Sequence, residues 1–98
     1  MALTIVATFQ AKPEAAAELV EKLQELAVVT RQEAGCISYR PYVAPEDPTA
    51  VVMVEQWADA DAIAAHNKSE HLRAFGHVAA ELLTAPVAIE ILKPAKED

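Results

Sequence analysis

The sequence predicts an α+β fold: a four-stranded antiparallel sheet with helices on one face. Three observations lead there. Runs of β-branched and aromatic residues bounded by turn residues occur four times. Segments with a helical apolar repeat separate the first run from the second and the third from the fourth. The resulting order is β-α-β-β-α-β, the second helix being broken in two.

"ALTIVATFQA" is the first strand, and Pro13 follows it at a position suited to the first turn of a helix. From Pro13 to about Ala34 the apolar residues Leu19, Leu23, Leu26, Ala27 and Thr30 recur at helical spacing. Glu14, Glu18, Glu21 and Glu25 form a solvated stripe, with Glu18 and Lys22 as an i, i+4 pair. Gly35 suits a helix stop. "CISYRPYVA" reads as a strand, "PEDPT" as a turn and "AVVMVEQWA" as a third strand. Asp59 is placed to cap the short helix "ADAIAAHNK", and Ser69 a longer one. In that longer helix Leu72, Phe75, Ala79, Leu82 and Leu83 share a face. Pro86 precedes the last strand, "VAIEIL", and the tail "KPAKED" is expected to fray. This is the ferredoxin-like split order, spanning residues 1–98 as one domain.

Composition excludes several classes. A formal charge of −7 without a Lys/Arg cluster argues against nucleic acid. The single cysteine, Cys36, closes no intrachain disulfide. The apolar N-terminus lacks a basic leader region and reads as a strand, not as a signal or membrane segment. A cytoplasmic protein is the expectation. "LTIVA", "AVVMV" and "VAIEIL" are apolar in both strand phases, so both sheet faces need cover. Helices cover one; a second copy packed sheet to sheet is expected on the other.

The motifs "EAGCISY" and "EQWADADAIAAHNKSEHLRAF", set in this element order, resemble the antibiotic biosynthesis monooxygenase family of small dimeric α+β barrels. The matching positions are Glu33, Gly35, Cys36 and Tyr39; Glu55 and Trp57; and His66 and His71 around Ser69. The resemblance implies a homodimer with a pocket between sheet and helices. It also implies an oxygenase acting on a quinol, anthrone or related phenol without metal or flavin. The chain departs from the family's haem-degrading branch: its first strand carries no Asn, and its one Trp ends a strand.

Two residues are the candidate catalytic groups. His66 follows Ile63 by three positions, on the helix side expected to face the sheet. An imidazole on a pocket wall can take a phenolic proton near neutral pH. It can equally be a buried His closing a helix end. His71 precedes Phe75 by four positions and flanks the apolar stripe. His77 lies opposite that stripe and is expected to be inert.

Tyr39, Arg40, Trp57 and Phe75 are the expected substrate contacts. Glu55 is read as a cross-strand ion pair with Arg40, should the register oppose them. Cys36 is read as an unreactive buried thiol. No metal is expected, since His66 and His71 are five apart across a helix break and fail the zinc spacings. Two rival functions keep the fold: an isomerase of a small phosphosugar-like carbonyl compound, and a non-enzymatic binding or stress-response module.

Overall fold

A computed structural model describes residues 1–96. The chain runs β1 (Leu3–Gln10), a 3-10 turn (Pro13–Ala15), α1 (Ala16–Thr30), β2 (Cys36–Ala44), β3 (Asp47–Trp57), α2 (Ala60–Asn67), α3 (Glu70–Ala79) and β4 (Ala88–Leu92). The strands form one antiparallel sheet in the order β2-β3-β1-β4. This is the ferredoxin-like α+β fold.

Strand periodicity decides which residues meet the helices. Ile5, Ala7 and Phe9 of β1 are buried, as are Val51, Met53, Glu55 and Trp57 of β3. Leu19, Leu23, Leu26, Ala27 and Thr30 of α1 close over them. The intervening residues face the other side, which no helix covers. There Tyr42, Val52, Thr8 and Ala88 lie in one cross-strand row, and Arg40, Val54, Val6 and Glu90 in the next.

Several boundaries differ from expectation, each for a local reason. α1 stops at Thr30, short of Ala34. Two tight turns follow, with Gln32 N donating to Val29 O and Glu33 N to Thr30 O. Gly35, at φ +87°, lies beyond them and turns the chain into β2. The hairpin needs only Pro45 and Glu46, because Ala44 already pairs with Asp47. α3 ends at Ala79, and Leu83 instead makes a bridge to Ala11. Lys22 meets Glu25, at 3.7 Å, not Glu18.

Lys93–Lys96 are in neither helix nor strand; the rest of the tail expected to fray lies outside the described residues. Among the described residues no helix is long and apolar enough to cross a membrane.

Candidate active site

A cavity of about 800 Å³ opens between the inner face of the sheet and the helices. Phe9, Leu26, Ile63, Leu72 and Phe75 supply much of its apolar wall. Phe9 and Phe75 meet edge to face, their centroids 6.0 Å apart. The polar groups on the wall include Tyr39, Glu55 and His66.

His66 is 3% exposed. Its Nδ1 lies 2.8 Å from Glu33 Oε2, and His71 Nε2 lies 2.6 Å from the same oxygen. With Glu33 ionised, both imidazoles donate to it. His66 then carries its proton on Nδ1 and keeps Nε2 as an acceptor. His66 borders the cavity; Glu33 and His71 are not part of the wall. The fold therefore joins the two histidines through one carboxylate, but only His66 is presented to a ligand.

Helix capping explains how residues five apart reach one oxygen. Asp59 accepts from Ala62 N at 2.9 Å and starts α2, whose last turn holds His66. Ser69 donates to His66 O at 2.7 Å and accepts from Leu72 N at 3.3 Å, starting α3 with His71 in its first turn. The turns after α1 bring Glu33 to the junction.

The aromatic candidates surround His66. Tyr39 stands 5.5 Å from its ring, and Trp57 4.7 Å, centroid to centroid. Trp57 is fully buried and backs His66 and Glu55 without being part of the cavity wall. Burial, then the Glu55 and Glu33 carboxylates, push the Tyr39 phenol far above its ordinary value, so it stays neutral. Cys36 is half-buried, not buried as expected; its partial burial, then the Glu33 and Glu55 carboxylates, raise the thiol against the pull of Arg31.

Arg40 and Glu55 are not an ion pair. The register opposes Glu55 to Tyr39 and Arg40 to Val54, so the two side chains leave opposite faces of the sheet. Arg40 lies outside the cavity, beside Arg31 and Tyr42. Glu55 instead points into the cavity side, where its Oε1 accepts from Trp57 Nε1 at 2.9 Å.

Sequence reasoning thus missed two members of the site. Glu33 is visible as a motif residue without a partner. Glu55 shares strand phase with Val51, Met53 and Trp57, and that phase alone marks it as an inward acid.

Glu33, His66 and His71 also present three metal-ligating atoms within 4.8 Å of one another, a convergence the sequence spacing did not suggest. Their separations from Glu33 Oε2 are hydrogen-bond distances. A cation there would sit behind His66, on the side away from the cavity wall. We read the trio as a hydrogen-bonded group.

These features define a small α+β protein with a helix-covered apolar cavity and a buried histidine on its wall. Residues 2–78 match the family model for antibiotic biosynthesis monooxygenases, and the chain belongs to that family. It is 33% identical over 95 residues to the Mycobacterium tuberculosis protein named "Putative monooxygenase Rv0793", covering 97% of this chain and 93% of that one. The solved structure of Rv0793 superposes with a TM-score of 0.91 at 31% identity, covering 99% and 98% of the two chains. PA3566 from Pseudomonas aeruginosa gives 0.89 at 34% identity, covering 97% of this chain and 95% of its own.

Proposed function

We propose that this chain is a monooxygenase that deprotonates a small phenolic or quinol-type substrate in the apolar cavity, with His66 as the base. One observation carries the reading: a buried imidazole borders the cavity while its Nδ1 is held by Glu33. A base needs a fixed tautomer and a free acceptor nitrogen, and the Glu33 contact provides both. His66 Nε2 takes the substrate proton, and the electron-rich anion left behind reacts with O₂. One oxygen atom enters the product and the other leaves as water, with the substrate as the only reductant. No metal or flavin takes part in this scheme. The protein contributes orientation, desolvation and proton removal.

The cavity lining favours this over a phosphosugar isomerase. No Lys or Arg is among its residues, so a phosphate would have no cation to meet. Tyr39 and Phe75 are the proposed substrate contacts, His71 a positioning residue acting through Glu33, and a homodimer in the cytoplasm the working form.

The test is oxygen uptake by metal-stripped protein on a panel of hydroquinones and anthrones. Uptake that survives chelation and falls roughly 10²–10⁴-fold in His66→Ala is expected. A loss of only a few-fold removes His66 from the mechanism. Uptake no higher than a protein-free control overturns the oxygenase reading.

A further inference from the structure

Proton removal by His66 leaves the carboxylic acid on the cavity wall, Glu55, idle. Glu55 is 5% exposed and borders the same space as His66. Its Oε1 is taken by the Trp57 indole. Its Oε2 takes part in no hydrogen bond with the described residues and is not sealed from solvent. That oxygen therefore opens on the cavity.

We propose that Glu55 is a neutral hydrogen-bond donor to the substrate, selecting ring compounds that present a carbonyl oxygen to it. The inference rests on the oxygenase reading for its part in turnover, but not for its part in binding. While His66 withdraws a proton from the ring, the electron pair moves onto that carbonyl oxygen. An O–H already aimed at it stabilises the charge as it forms.

The surroundings of Glu55 favour the neutral acid. Tyr39 and Cys36 face it from β2, Glu33 from the turn after α1, and His66 from α2. The cavity residues of β1, α1 and α3 around it, Ile5, Leu26, Leu72 and Phe75 among them, carry no charge. Burial, with Glu33 adding to it and the Trp57 hydrogen bond opposing it, raises the carboxyl to about 7. An acid so placed can donate below neutrality and loses that capacity as pH rises.

Binding tests this without turnover. The probes are anthrone and its carbonyl-free counterpart 9,10-dihydroanthracene, held anaerobic. At pH 5.5 the protein should prefer anthrone by about tenfold, the scale of one good hydrogen bond. The preference should vanish at pH 8.5. Glu55→Gln, a donor at every pH, should keep it at both; Glu55→Leu should lack it at both.

Trp57, the one tryptophan, reports the same group by its fluorescence. Its emission should change through pH about 7 in His66→Gln, where the neighbouring imidazole is gone, and stay flat in His66→Gln/Glu55→Gln. A wild-type preference that is absent or does not change with pH, or one that Glu55→Gln loses, overturns the proposal. So does a flat emission in His66→Gln. Failed oxygen uptake with these results intact would overturn only the oxygenase reading.

Discussion

At the scale of single residues two acids stand in unusual places, Glu55 on the cavity wall and Glu33 between two imidazoles. Glu55 contributes to stability in the reverse of the usual carboxylate sense. Its pKa is raised from 4.5 in the open chain to about 7 in the fold, so the folded state binds its proton more tightly. The associated stability is complete below about pH 4.5 and is lost as pH rises through about 7. The loss is on the order of 3 kcal/mol, from 1.36 kcal/mol per pKa unit. Urea unfolding should therefore show the wild type weakening between pH 5 and 8 while Glu55→Gln holds nearly level. Parallel profiles for the two proteins would show that Glu55 is not titrating in this range. On the proposed reading Glu33 acts through His66, whose Nδ1 it holds. Glu33→Ala should lower kcat by about 10²-fold or more on whichever substrate proves active, with KM little changed. A change confined to KM would assign Glu33 to binding instead.

At the scale of elements, the close approach of Gly35 to α2 holds the site together. A Cβ at Gly35 would stand 2.5 Å from the Ala62 Cβ, and its φ of +87° is one that other residues resist. Gly35→Ala should cost roughly 2–4 kcal/mol in urea unfolding, combining backbone strain with overpacking. Adding Ala62→Gly should restore only the packing part. A cost below about 0.5 kcal/mol would mean both that α2 moves aside freely and that the backbone at position 35 relaxes out of its left-handed conformation.

The same segment shows what the sequence makes legible. Strands and caps could be read because their causes are local: alternation in β1 and β3, Asp59 and Ser69 ahead of their helices. The end of α1 could not, because Ala34 continues the pattern while the turns at Gln32 and Glu33 break it. The histidine pair was visible, but its meaning was not. The carboxylate joining them lies 33 residues before His66 and 38 before His71, and only folding brings it near. Likewise Glu55 and Arg40 were separated by register, which a one-residue offset decides.

At the scale of the whole molecule the chain exposes too much surface for its mass. Its accessible area is 6168 Å², against roughly 5,400 Å² for a compact monomer of 10.5 kDa. The shape, 44 × 29 × 20 Å, is that of a sheet covered on one side. The uncovered face has Val6, Val52 and Val54 at its centre, with Arg40 and Glu90 toward its edges. Apolar residues inside and charges outside are how an interface is laid out. A twofold packing of two such faces would bury the valines and leave the charges at the rim, where water still reaches them. Val54→Glu should break that pairing, because twofold symmetry buries a carboxylate on each copy, a desolvation cost that its cross-strand neighbour Arg40 does not repay. Light scattering at tens of micromolar should give the wild type about twice the chain mass and Val54→Glu the mass of one chain, with its circular dichroism unchanged. A monomeric wild type would refute the sheet-to-sheet dimer. A dimeric Val54→Glu would move the contact to another surface, with Ile89 and Ile91 the next place to look. These two are 62% and 60% exposed on the cavity side of β4. A partner seated there would close the cavity mouth as well as the dimer, making substrate access depend on assembly.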